Sequence, residues 1–404
     1  MYKVYKPTTD KDAEQIYELL RTVFRGEDVD KLVKRLLEYY PETGLNNLFT
    51  VRDGGKIVAT LILIPQTWIM DGFELKVAEM GCVATHPDHR RKGLQALLNR
   101  EFDKTATNEG YDLCALAGIP FFYRQFGYEY SVELDHTSTI PVHLIKGKGR
   151  VVRYRVFKGS DIPEASKLFE SSQKDYFVKQ KRTQAVWNIQ QSTHYYKGEP
   201  FESYILRDEG GILGYLRLRE DKNQKVLYLN EACLRNNGDP ERVLGLLKSY
   251  CQSNKLETIV SRLSYEDELS RRLRSLGAEQ KKPYAWQVKI VDYLKLFQRL
   301  APLLEKRLKS SKFSKLDETL NLNFRKFTIQ ICIREGRIVE VEKTDDCSDR
   351  TIGLNPYVFP KLLLGYRRIG ELEYSHPDFS IKHTHKKLME ILFPGGPGYI
   401  HHVY

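Results

Sequence analysis

Thr85-His86-Pro87-Asp88-His89-Arg90-Arg91-Lys92-Gly93-Leu94-Gln95 is the stretch on which the reading of this chain turns. Residues 77–84 before it read as a strand, and Leu94, Leu97, Leu98 and Phe102 after it recur at helical spacing. The quoted residues therefore form a strand-to-helix turn carrying three consecutive cations. A helix start presents amide hydrogens that have no acceptor within the helix, and the macrodipole adds positive potential at the same spot. Arg90, Arg91 and Lys92 add formal charge, and Gly93 holds no Cβ against a ligand. The stretch predicts an anion site suited to a pyrophosphate.

The rest of the composition fits a soluble globular protein of several domains. At 404 residues, with 41% hydrophobic and 29% charged residues, the chain is long enough for two or three ordinary cores, and three are expected. The net charge of +11 is spread without a block of five or six consecutive Lys or Arg. It reads as general anion affinity, and no groove-reading or base-stacking motif points to nucleic acid. The six cysteines show no CxxC spacing, which predicts free thiols in a reducing compartment and no metal site. Neither a secretory h-region nor a run of 18 apolar residues is present, so a cytoplasmic location without a membrane partner is expected.

A degenerate repeat organises the first 280 or so residues at an offset of about 150. Thr9-Asp10 and Ser160-Asp161 each begin a helical pattern, the first with Ala13, Ile16, Tyr17 and Leu20, the second with Ala165, Leu168 and Phe169. Arg52-Asp53-Gly54-Gly55 and Arg207-Asp208-Glu209-Gly210-Gly211 each predict a hairpin turn. Glu79-Met80-Gly81-Cys82-Val83 matches Asn230-Glu231-Ala232-Cys233-Leu234, and Arg124-Gln125-Phe126-Gly127 matches Arg274-Ser275-Leu276-Gly277. In the second copy Arg90 is replaced by Glu241 and Gly93 by Leu244, which would repel a phosphate and bar a close backbone approach. From about residue 286 the pattern changes. An apolar helix over 293–308 precedes strands over 324–333 and 337–342 and helices over 355–366 and 383–392, an α+β domain. The expected domains are 1–150, 151–288 and 289–404.

On the residues 77–95, 123–128, 355–366 and Leu392-Phe393-Pro394, the chain resembles the Eis-like acetyltransferases of the GNAT superfamily. Their cofactor loop reads Arg/Gln-x-x-Gly-x-Gly/Ala; Arg90 and Gly93 match, and Gln95 departs from it. The resemblance implies α/β and α+β architecture: tandem GNAT domains, the second degenerate, followed by a sterol-carrier-protein-like domain. It implies acetyl-CoA as co-substrate and no metal. The acceptor would be an amine of an aminoglycoside-like polycation or a lysine side chain, and the assembly a homo-oligomer. Cys82, Val83, Ala84, Arg90, Arg91, Lys92, Gly93, Leu94 and Gln95 become the cofactor-binding set. The contrasting reading is a lipid or small-molecule carrier that uses the last domain and has a vestigial acyltransferase fold.

Acyl transfer from a thioester to an amine needs a proton donor for the thiolate and an acceptor for the amine proton. By resemblance Tyr123 is the donor, with Tyr128 as its competitor among 25 tyrosines. The family's base is the chain's terminal carboxylate, here that of Tyr404; Glu79 acting through water is the alternative. His401 and His402 are further titratable candidates, without a counterpart in the family. Glu27, Asp28 and Asp30 are candidates to line a pocket for a cationic acceptor, or are simply solvated loop acids.

Overall fold

Thr9 opens the first long helix with a capping box: its side chain accepts from the Asp12 amide, and the Asp12 carboxylate accepts from the Thr9 amide in return. The structure, a computed structural model, describes residues 2–134, 136–146, 152–196, 199–235, 240–282 and 284–404. In the first third the chain runs β1 (Val4–Tyr5), α1 (Asp10–Val23), α2 (Val29–Tyr39), β2 (Leu48–Asp53), β3 (Lys56–Met70), β4 (Phe73–Thr85), α3 (Leu94–Asn108), β5 (Leu113–Leu116) and β6 (Glu129–Glu133). Ile16, Leu19 and Leu20 of α1 and Val33 and Leu36 of α2 are buried against Ile62 and Ile64 of β3. On the opposite face Leu94, Leu98 and Phe102 of α3 cover Leu61 and Leu63. This is a mixed α/β sheet with helices on both sides.

That sheet recruits strands from far along the chain. Its order is β1-β2-β3-β4-β5, then Ala285–Ile290, β6, Gly398–Tyr399 and Val178–Gln180. Val178–Gln180 also pairs with β3, Trp68 facing Gln180 and Met70 facing Val178. Seven strands thereby close into a ring, with Trp68, Leu75, Val77, Ala115, Val132, Val178 and Trp286 in its core. The second sheet has the order Glu279–Gln280, Ser138–Pro141, Thr258–Ser261, Val226–Leu234, Gly211–Asp221, Glu202–Asp208, Arg153–Val156. Both Gly-Gly hairpins form where the repeat predicts them.

Sheet membership does not follow chain order at two places near the expected boundaries. Ser138–Pro141 lies in the second sheet, between Thr258–Ser261 and Glu279–Gln280, and Ala285–Ile290 lies in the first, between β5 and β6. The two sheets exchange a strand, because pairing is decided by distant partners and not by the pattern within the strand.

Beyond residue 290, the amphipathic helix Tyr293–Lys309 packs Leu296, Leu300 and Leu304 on a five-stranded sheet. The strand expected over 324–333 forms over Thr328–Arg334, and an unexpected strand, Glu318–Asn323, precedes and pairs with it. The chain reverses at Arg325, where φ is +72°. Rings of Phe297, Phe324, Phe359 and Phe393 fill the interior of this part. The helical segment expected over 355–366 shrinks to Phe359–Leu363, while His383–Leu392 forms as expected.

Candidate active site

The opening in the first sheet is made by β4. It pairs with β5 only from Val77 to Glu79, opposite Leu113 to Ala115, after which the two strands part. Against β3, a bulge sets Cys82 and Val83 opposite Leu61, and Cys82 takes φ +48°. A cleft of about 760 Å³ lies in the gap, walled by Val83, Thr85, Arg90, Arg91 and the start of α3 on one side and by Phe122, Tyr123 and Phe126 on the other.

The predicted anion loop sits at this cleft. Arg91 and Gly93 both have left-handed backbones, φ +64° and +74°, and Gly93 is the residue before α3. A Cβ on Gly93 would meet nothing within 4 Å, so the protein's own need for glycine there is conformational. Arg90, Arg91 and Lys92 are exposed, and neither arginine forms an ion pair among the described residues. Gln95, the departure from the family pattern, makes two hydrogen bonds through its side-chain amide, which donates to Ala84 O at 3.1 Å and to Thr85 Oγ1 at 2.7 Å. It ties the helix start to the end of β4 through the Ala84 carbonyl. Leu94 is buried under the loop. The thiol of Cys82 is pushed up to about 12 by burial, which removes it as a nucleophile.

Tyr123 stands in the short 3-10 turn Phe122–Phe126, 7% exposed on the cleft wall, edge-on to Phe122 with ring centroids 5.0 Å apart. Gly118 leaves room for it, since a Cβ there would lie 2.3 Å from Tyr123 Cε2. Burial pushes the phenol up to about 12, so it stays protonated at any physiological pH. Tyr128 is buried in the core beside Cys114 and forms no part of the cleft wall.

The residues about Tyr404 reach β4 from the far end of the chain. Ile400 and Val403 are buried, His402 faces the Trp286 ring at 5.8 Å, and the Tyr399 hydroxyl donates to Arg262 O at 2.9 Å. The Tyr404 hydroxyl then donates to Glu79 Oε1 at 2.5 Å. Gln66 Nε2 donates to the other carboxylate oxygen of Glu79, and Trp68 Nε1 donates to Gln66 Oε1 at 2.9 Å. Burial raises Glu79 from its ordinary 4.5 to about 7, against the opposing pull of the Tyr404 and Gln66 bonds. The two residues weighed as the base are thus neighbours. Gln66 and Trp68 were missed in the sequence, where they read as an ordinary stretch of strand.

In the second sheet the two residues matched to Arg90 and Gly93 are engaged by the protein itself. Glu241 accepts from Arg272 Nε, and Leu244 is buried in the core. Inside that half, Glu231 is fully buried between two guanidiniums, with Arg182 at 2.6 and 2.9 Å and Arg217 Nε at 3.6 Å, and with the Tyr215 hydroxyl at 2.6 Å. Burial alone would raise this carboxyl, but the two arginines overcome it and hold it well below the usual carboxylate range. His401 Nδ1 lies 3.6 Å from Glu231 Oε2, so the same cluster grips the tail that carries Tyr404.

With this geometry in view, residues 4–131 match the family model described as the acetyltransferase (GNAT) domain. The chain is accordingly an acyltransferase. Solved structures of similar fold include a conserved protein of unknown function from Enterococcus faecalis V583 (TM-score 0.77, 17% identity, 99% of each chain covered). Others are a GCN5-related N-acetyltransferase from Anabaena variabilis (0.76, 15%, 100% of each) and Eis1 from Mycobacterium abscessus (0.65, 12%, 99% of each). Identities this low carry the fold alone. A sequence comparison with curated proteins finds no match. Among the described residues no helix is long and apolar enough to cross a membrane.

Proposed function

We propose that the chain transfers an acetyl group from acetyl-CoA to a primary amine. The observation that carries this is the cleft where β4 and β5 part. A basic loop with two left-handed residues lies at one end of it, a buried phenol stands on its wall, and β4 itself bears a carboxylate that titrates near neutrality. The residues fit the co-substrate: Arg90 and Arg91 have charge to spare, and the amides at the start of α3 point to the same spot. Acetyl-CoA supplies the acyl group as a thioester.

Each remaining role falls to a residue of the chain. Arg90, Arg91, Lys92 and the amides at Gly93 to Gln95 hold the diphosphate, and the backbone of Cys82 to Ala84 along the bulge lies beside the pantetheine arm. Glu79, half ionised near pH 7, takes the proton that the amine loses as its nitrogen bonds to the carbonyl carbon. As the carbon–sulfur bond breaks, Tyr123 gives its proton to the departing thiolate. The terminal carboxylate of Tyr404 is the second candidate for the base, and the phenol of the same residue keeps Glu79 in place.

The same reading takes the second sheet as a GNAT copy that has lost its cofactor loop and the last part as a sterol-carrier-protein-like domain. It assigns the protein to the cytoplasm as a homo-oligomer. The test is incubation of the purified chain with acetyl-CoA and a panel of polyamines, aminoglycosides, lysine peptides and amino acids, with release of free thiol followed over time. Thiol release that depends on an amine supports the reading. Calorimetric binding of CoA without acyl transfer to any amine rejects it.

A further inference from the structure

We infer that the acceptor amine carries a carboxylate, or an anion of similar size, which pairs with Arg35; this rests on the amine-acylating reading above. A recess of about 30 Å³ opens between α2, the helix Gln184–Thr193 and residues 403–404. Tyr404 borders it, and the same Tyr404 donates to Glu79, so a single side chain separates the recess from the proposed base. Arg35, Tyr39, Tyr40 and Tyr195 form its other aromatic and charged walls. The guanidinium carbon of Arg35 lies 3.3 Å from the Tyr195 ring centroid. Its Nη1 is buried without a hydrogen-bond partner, and Arg35 enters no ion pair among the described residues.

A buried guanidinium nitrogen without an acceptor is costly, and the planar donors of a guanidinium match a carboxylate. The volume suits the end group of a ligand, since a water needs about 10 to 15 Å³ of such space. Charge decides against a polycation. No acidic residue lines the recess, and none lines the 760 Å³ cleft. The acids of the α1–α2 connection line neither cavity: Asp28 pairs with Lys31 at 2.8 Å, Asp30 pairs with Arg21 at 3.1 Å, and Glu27 is exposed. A second ammonium on the acceptor would meet Arg35 as a like charge. A carboxylate there would gain charge-assisted hydrogen bonds while the amine lies at Glu79.

The experiment compares two acceptor series on the full chain with acetyl-CoA: ω-amino acids from glycine to 6-aminohexanoate, and the matching n-alkylamines. At the best spacing the acid should exceed its alkylamine at least tenfold in kcat/KM. Arg35→Met should lower that ratio by roughly ten- to a hundredfold, with Arg35→Lys between the two. Calorimetry of CoA with each variant shows that it is folded. Independently of any variant, N-acetylated ω-amino acids should bind the parent–CoA complex more tightly than N-acetylated alkylamines. Alkylamines or spermidine turning over as well as every ω-amino acid overturns the inference, as does an unchanged ratio in folded Arg35→Met. A chain that binds CoA and acetylates neither series but does acetylate another amine of the wider panel overturns this inference alone; one that acetylates no amine at all brings down the proposed function, and this inference with it.

Discussion

The Tyr404 hydroxyl donates to Glu79 Oε1 over 2.5 Å, joining two residues 325 positions apart in the chain. The bond is to the ionised form of the carboxylate, so it lowers a pKa that burial has raised. In the parent, kcat/KM should therefore rise with pH along a limb centred near 7. Tyr404→Phe, which keeps the main-chain carboxylate, should move that limb to higher pH. Glu79→Gln should abolish the limb and lower kcat by about 100-fold or more. If Glu79→Gln keeps both, the base is elsewhere, and deletion of Tyr404 then tests its terminal carboxylate.

Glu79 also makes stability depend on pH. Its folded pKa of about 7 lies above the ordinary 4.5, so the native state holds this proton more tightly than the unfolded chain does. The contribution is full below about pH 4.5 and is lost as pH rises through 7, amounting to about 3 kcal/mol. Urea unfolding of the parent and Glu79→Gln at pH 5 and pH 8 measures it. The stability difference between the two proteins should shift in favour of the Gln variant at the higher pH, and a constant difference refutes the raised pKa.

Tyr123 is separated from the thiolate role by two substitutions. Tyr123→Phe keeps the ring packed beside Gly118 and should lower kcat by about 100-fold while calorimetric CoA affinity stays within a few-fold. Gly118→Ala forces a methyl into the Tyr123 ring and should reduce kcat as well, with a loss of about 1 to 3 kcal/mol in stability from overpacking. Full activity in Tyr123→Phe would show that water or another group protonates the thiolate.

Arg90→Ala and Arg91→Ala should each raise the KM for acetyl-CoA by about tenfold with a smaller change in kcat, because each removes a charge-assisted contact. The parent's KM should itself rise between 50 mM and 500 mM salt, since both side chains are exposed and screened. Insensitivity to salt and to both substitutions would place the diphosphate elsewhere.

Arg182→Met leaves Glu231 ionised and buried with one partner fewer. Removing one member of a buried pair costs about 3 to 5 kcal/mol. His401 packs on the same cluster, so Arg182→Met should also disturb the tail and broaden or shift the limb ascribed to Glu79. A measured loss below 1 kcal/mol would mean that solvent reaches the cluster.

Much of the first sheet could be read in the sequence because it is local. The Gly-Gly turns, the capped helix at Thr9 and the basic strand-to-helix turn each depend on residues within a few positions of one another. The closed ring could not be read this way. Nothing in Ala285–Ile290 names β5 and β6 as its neighbours, and two residues, Gly398 and Tyr399, give too short a pattern to predict a strand. The candidate site divides along the same line. The basic turn at Arg90 to Gly93 and the segment of Tyr123 are local patterns, whereas the bond from Gln66 to Glu79 and the place of Arg35 at the recess depend on approaches between segments that share no sequence signal. Gln95 looked like a defect in the loop and is instead its tether to β4.

The ring of seven strands has a temporal consequence. A ribosome releases β2 through β6 long before Ala285–Ile290 exists, and longer still before Gly398–Tyr399. Until those segments arrive, β5 and β6 lie apart with open edges, a state prone to pairing with other chains. Closure at such sequence separation is slow. A nascent chain halted before its final strands therefore gives an aggregation-prone stub, and maturation of the first sheet is timed by synthesis of the last strands.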